Sequence, residues 1–187
     1  MKTKNMILIA LFAAVTSVLA YVYIPIPVSP VPVTGQTMGM MLAGAMLGPK
    51  AGFLSQVIYI LLGAVGLPVF AGGMGGIGVL LGPRGGYLWA APLAAAIVGV
   101  MARWAQNQSG YRYWFLLLGG LVFGGMIVIY AFGVLQLALV TQIPMQAAVL
   151  EGMVPFIIGD VAKVAASAFI VRSTQAVLGM EPLSPRG

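Results

Sequence analysis

The chain has 187 residues, of which 61% are hydrophobic and 6% charged, with a net charge of +6. A soluble domain carries about 25% charged residues, so this composition is that of an all-α integral membrane protein. The length holds roughly six spans of about 20 residues, as one bundle without a second domain. The cations stand singly at the ends of apolar segments, where they orient spans and snorkel to lipid head groups, a pattern that does not point to nucleic acid. Cys and His are both absent, which excludes thiol nucleophiles, His general bases and the common zinc sites.

Met6–Tyr23 follows Lys2 and Lys4 and is apolar throughout. No small-residue cleavage pattern follows it, so it reads as a retained first span rather than a leader. The Pro-rich stretch Ile24–Pro32 ends any helix there. Met38–Leu47 is too short to span alone and reads as a buried or tilted helix. Ala51–Leu67 and Gly85–Met101 are the next two apolar segments. Tyr113–Leu139 has 27 residues and must tilt or protrude. The last span lies within Ala147–Val171, with Pro155 marking a start or a kink.

With the N-terminus inside, Lys2, Lys4, Lys50, Arg103, Arg112, Arg172 and Arg186 all fall on the cytoplasmic side, which satisfies the positive-inside rule for seven of nine cations. Both termini are then cytoplasmic, Glu181 with them. Ile24–Thr37, Pro68–Arg84 and Thr141–Gln146 become outer loops. Arg84, Glu151, Asp160 and Lys163 remain in the outer half or within the last span. An ionisable group in hydrocarbon costs roughly 2.5–3.5 kcal/mol on insertion scales, so such residues usually face a cavity and have a function.

Eight glycines fall within Pro68–Gly86, at 72, 73, 75, 76, 78, 82, 85 and 86. Each costs a helix about 1 kcal/mol relative to Ala, so the stretch is expected to be irregular. It is also apolar, and irregular backbone at membrane depth must be buried in protein or line a cavity, which makes it a lid or cavity wall.

Asp160 and Lys163, three apart, share one helical face with Ser167 a turn beyond. They offer an acceptor and a donor toward a cavity, or else an ion pair that fixes helix packing. Arg84 stands among Gly82, Gly85 and Gly86, where a guanidinium and the backbone N–H groups of a helix start could take an anion, or where Arg84 could snorkel to outer phosphates. Tyr87 is suited equally to stacking on a flat ligand and to interfacial anchoring. Thr34, Gln36 and Thr37 form the polar end of the first outer loop, and Ser55, Gln56 and Tyr59 a polar stripe on the third segment. Each alone reads as an interhelical hydrogen bond, but together they raise the case for an outer cavity. Glu151 lies about 180° from Asp160 on an unbroken helix and is set apart. Ala10 and Ala14 form a small-xxx-small pair that suits close helix packing. No phosphate-binding loop is present, and the three carboxylates are not paired for acid–base work, so the chain does not read as an enzyme.

Val31-Pro-Val-Thr-Gly-Gln36, Leu42-Ala-Gly44 with Leu47-Gly48, Gly66-Leu-Pro-Val-Phe-Ala-Gly-Gly73, Gly82-Pro-x-Gly-Gly-Tyr87 and Gly159-Asp-x-x-Lys163 together resemble the BioY family. That family comprises the biotin-specific S-components of energy-coupling factor (ECF) vitamin transporters, which belong among the ABC transporters. The resemblance implies a six-helix S-component fold in the cytoplasmic membrane of a bacterium or archaeon, with an outward-facing biotin pocket capped by loops and no cofactor. It implies docking on a transmembrane coupling protein through Ala10 and Ala14, with two cytosolic ATPases supplying the energy. It implies a ligand site that includes Asp160, Lys163, Arg84, Tyr87, Gly82, Gly85, Gly86, Thr34, Gln36, Gln56 and Tyr59. The pattern departs at position 84, where Thr is common and this chain has Arg, so the carry-over is firmer for the flanking glycines and Tyr87. Asp160 would take a ureido N–H, while Lys163 and Arg84 would meet the carbonyl and carboxylate in either order. The alternatives are a secondary transporter for another vitamin or small carboxylate, driven by protons through Asp160, and a non-transporting membrane subunit. Small-residue faces permit a homo-oligomer without requiring one.

Overall fold

The computed structural model describes residues 3–27 and 29–178, so Lys2, Glu181 and Arg186 of the topology argument lie outside the described residues. The architecture is helical. In chain order the elements are α1 (Thr3–Leu19), the two-residue strands β1 (Tyr23–Ile24) and β2 (Val33–Thr34), α2 (Gln36–Leu47), α3 (Pro49–Ala64) and α4 (Ile77–Leu81). They continue with α5 (Gly85–Gln106), α6 (Gly110–Val122), a π-helical stretch over Phe123–Val128, α7 (Ile129–Thr141), α8 (Met145–Gly152) and α9 (Ile157–Leu178).

Among the described residues, three helical stretches have the length and apolar character to cross a membrane: Gly85–Gln106, Gly110–Thr141 and Met145–Gln175. The second is 32 residues long, about 48 Å at 1.5 Å per residue, so it exceeds a hydrocarbon core of about 30 Å and must tilt or protrude, as its length in the sequence requires. α2, at 12 residues, is about 18 Å long and cannot cross alone. It is buried on nearly every side, against α1, α3, α5 and α9. Gly44 lets it lie on α5, since a Cβ there would stand 2.3 Å from the Ala95 carbonyl oxygen. α5 is the hub, touching α2, α3, α6 and α7. Its buried face is mainly Ala and Gly, which brings backbones close where no water drives helices together.

Two expectations are corrected. The first helix ends at Leu19, and Tyr23 lies in a hairpin instead, with Tyr23 facing Thr34 and Ile24 facing Val33. The reason is that Gly35 N–H reaches back to the Leu19 carbonyl at 3.1 Å, closing the loop on the helix end. The glycine-rich stretch is not irregular throughout: Ile77–Leu81 forms one helical turn containing Gly78. Tertiary burial overrides propensity there, since Leu80 is fully buried, while the left-handed backbone falls at Gly72, Gly73 and Gly76 just before it. Pro155 sits in the short 3-10 turn that joins α8 to α9, where its missing N–H leaves no helical bond unmade.

Candidate functional site

A cavity of about 790 Å³, open mouth included, lies between α2, α3, α5, α7 and α9, under the hairpin and the glycine-rich segment. Ligand sites combine predominantly apolar walls with a few convergent polar groups. The apolar wall includes Val31, Met40, Phe70, Met74, Leu88, Ile129 and Phe156. Its polar groups fall into two clusters joined at the start of α2.

The first cluster centres on Asp160, which is 3% exposed on the first turn of α9. Lys163 Nζ lies 2.6 Å from Asp160 Oδ1 and donates also to Thr37 Oγ1 at 3.2 Å. The Thr37 hydroxyl donates in turn to Asp160 Oδ1 at 3.3 Å. On the other oxygen, the buried Tyr130 hydroxyl donates to Oδ2. A carboxylate has about four acceptor positions and an ammonium three N–H groups. By this count the cluster retains one acceptor position on Oδ2 and one ammonium N–H, and both residues line the cavity. That pairing suits a ligand edge carrying an N–H next to a carbonyl.

The second cluster lies on α3 and its neighbours. The Thr34 hydroxyl donates to Gln36 Oε1 at 2.9 Å, and Gln36 Nε2 donates to the Tyr59 hydroxyl. One turn away, Gln56 is fully buried and its Nε2 donates to Thr16 Oγ1 of α1 at 3.2 Å. Thr34, Gln36, Thr37, Gln56 and Tyr59 all line the cavity. Ser55, on the same stripe, is buried but does not.

Arg84 lines the cavity as well. Its Nε donates to the Pro30 carbonyl at 2.9 Å, and Nη1 lies 3.7 Å from Met74 Sδ, so the guanidinium ties the hairpin loop to the glycine-rich cover. Tyr87 also lines the cavity, with its hydroxyl held by the Gly152 carbonyl at 2.7 Å.

Gly82, Gly85 and Gly86 do not line the cavity, contrary to what the sequence led us to expect. They are places of close packing. The Gly82 carbonyl accepts from Gln136 Nε2 at 2.8 Å and from Gly85 N–H at 3.0 Å. A Cβ at Gly85 would stand 1.8 Å from the Leu80 carbonyl oxygen, and one at Gly86 2.2 Å from that of Phe132. Ala10 and Ala14 face outward on α1, while Ala13 between them is buried. Glu151 does not line the cavity; it stands on α8, which the 3-10 turn separates from α9, so the angle expected for an unbroken helix does not apply.

The Tyr130 side chain itself carries no mark of this role in the sequence, and Thr37 reads there only as part of a polar loop end. Tyr130 is a lone hydroxyl in a long apolar run, and the π-helical stretch over Gly124 and Gly125 sets its rotation about the helix axis. The pair of glycines ahead of that hydroxyl was the signal available in the sequence.

A model of the BioY family matches residues 1–180. The probable biotin transporter BioY of Pyrococcus horikoshii is 42% identical over 175 residues, covering 94% of this chain and 98% of that protein. The probable biotin transporter BioY of Bacillus subtilis is 36% identical over 189 residues, covering 100% of this chain and 99% of that protein. Among solved structures, the S-component for biotin from an ECF-type ABC transporter superposes with a TM-score of 0.86 at 32% identity, covering 94% of this chain and 92% of that one.

Proposed function

This chain belongs to the BioY family, and on that premise we propose that it is the membrane subunit that captures biotin for an ECF-type transporter. The whole chain acts as one substrate-binding unit in the cytoplasmic membrane, with six spans and both termini inside. A transmembrane coupling protein and two cytosolic ATPases complete the transporter, since the chain carries no nucleotide-binding loop of its own.

The observation that carries the reading is the residual hydrogen-bonding capacity of the Asp160 cluster. Biotin has a ureido group with two N–H donors around a carbonyl, an apolar bicycle and tail, and a carboxylate. One ureido N–H is accepted at Asp160 Oδ2, and the carbonyl is met by Lys163 Nζ. The bicycle and tail lie among Val31, Phe70, Met74, Leu88 and Phe156, and Arg84 meets the carboxylate near the mouth. Thr34, Gln36 and Tyr59 hold the wall beside the start of α2, and Tyr87 fixes its far side through Gly152. Gly82, Gly85 and Gly86 act on the ligand indirectly, through the shape of the cover. The outward face of α1 around Ala10 and Ala14 is free for a helix of the coupling protein, because small side chains allow close approach.

The test is equilibrium binding of biotin to the purified chain in detergent, with Asp160→Asn and Lys163→Ala alongside. Tight binding that each substitution weakens about 30-fold, or 2 kcal/mol, supports the substrate and the site together. No binding by folded wild-type protein sinks the reading. If Lys163→Ala and Arg84→Ala both leave affinity unchanged, the assignment of the two cations fails.

A further inference from the structure

A buried acceptor on the cavity wall is unused by the contacts described so far. Gln56 is fully buried on α3 and lines the cavity, yet its Oε1 has no hydrogen-bond partner among the described residues. The hydrogen-bond network decides which end of the amide is left over. The Thr16 hydroxyl donates to the Phe12 carbonyl at 2.9 Å, so its oxygen can only accept from Gln56, and the Gln56 NH₂ must face Thr16. Turning the amide over would set two acceptors against each other, so Oε1 is the end left without a partner. A buried acceptor without a donor loses its hydration and gains nothing in exchange, a state a matching ligand donor relieves.

The two polar clusters meet at consecutive residues. Thr37 bonds Asp160, and Gln36 bonds Tyr59, one helical turn from Gln56. The Asp160 cluster retains one acceptor and one donor, which accounts for one N–H and the carbonyl of a ureido group. The second N–H then needs an acceptor of its own. We infer that Gln56 Oε1 accepts this second ureido N–H, which makes Gln56 the residue by which the site distinguishes a ligand with two N–H donors from one with a single donor. This rests on the biotin reading and assigns the ureido group's third polar contact.

The experiment uses the full chain in detergent and three probes: biotin and its two mono-N-methylated ureido analogues. Wild type should bind both analogues at least tenfold more weakly than biotin, since each leaves one acceptor unfilled. In Gln56→Leu, and in the unbranched Gln56→Met should the first fold poorly, biotin affinity should fall about tenfold. The preference for biotin over one analogue should then vanish while the preference over the other persists. Thr16→Ser keeps the hydroxyl that orients the Gln56 amide, and both preferences should survive it.

If both preferences persist unchanged in the Gln56 variants, the inference is overturned. It is equally overturned if both collapse together, because Gln56 then acts only by joining α1 to α3. Wild type that binds no biotin at all would overturn the function proposed above instead, so the two failures are distinguishable.

Discussion

On the α9 side of the cavity, side chains hold side chains. Asp160 is gripped by Lys163, Thr37 and Tyr130, from three different helices. On the glycine-rich side, side chains hold backbone. The Tyr21 hydroxyl donates to the Pro68 carbonyl at 2.6 Å, Gln136 bonds the carbonyls of Leu80 and Gly82, and Trp89 Nε1 bonds that of Leu80 at 3.0 Å. The cover is thus pinned at both ends through carbonyls that any residue would supply, and its identity matters where a Cβ has no room. The α9 wall depends on the charge and reach of individual side chains. Chemistry is concentrated in one wall and shape in the other.

The strongest challenge to this contrast is Asp160→Asn. It leaves Lys163, whose side chain is 16% exposed, without its counter-charge. Breaking a buried pair costs about 3–5 kcal/mol, so the thermal midpoint in detergent should drop sharply along with biotin affinity. Asp160→Leu with Lys163→Met removes both charges together, which is often neutral for stability. The double variant should regain most of the lost midpoint and none of the binding. Recovery of both would make the pair a packing device.

Next in size is Gly85→Ala, whose Cβ would meet the Leu80 carbonyl at 1.8 Å and Gln136 Nε2 at 2.4 Å. Overpacking of this kind costs about 1–3 kcal/mol. The midpoint should fall, and biotin should weaken only as far as the cover is displaced. A normal midpoint would show that the cover tolerates side chains where its backbone is pinned.

Arg84→Ala cuts the tie from the cover to Pro30 and removes a cavity cation. We expect affinity to fall five- to tenfold, about 1–1.4 kcal/mol, mainly through faster release in a stopped-flow chase. An unchanged release rate would argue against a latch. The smallest effect is expected at Gly78, which lies in α4 with nothing within 4 Å of a built Cβ. Gly78→Ala should stabilise the fold by about 0.4–1 kcal/mol through the unfolded chain's lost freedom, and so raise the midpoint slightly. A drop there would mean that this part of the cover uses its glycine for motion.

The sequence by itself determined the membrane class, the order of the apolar segments and the importance of the Asp160–Lys163 spacing. Hydropathy, proline and an i,i+3 ion pair are local properties that survive any arrangement of the helices. It also marked Gln56, Tyr59, Thr34 and Gln36 as one outer polar set, because helical periodicity fixes which residues of a segment share a face. Only the tertiary structure decided that Tyr130 completes the Asp160 cluster, since the rotation that aims it is set by a π-helical stretch no period reveals. Only packing against α4 and α7 explains why Gly85 and Gly86 are glycine, and only the Thr16 hydroxyl, 40 residues away in sequence, orients the Gln56 amide. Those facts depend on which backbone lies within 3 or 4 Å of which side chain. Residue type and spacing cannot carry that information until the helices have docked.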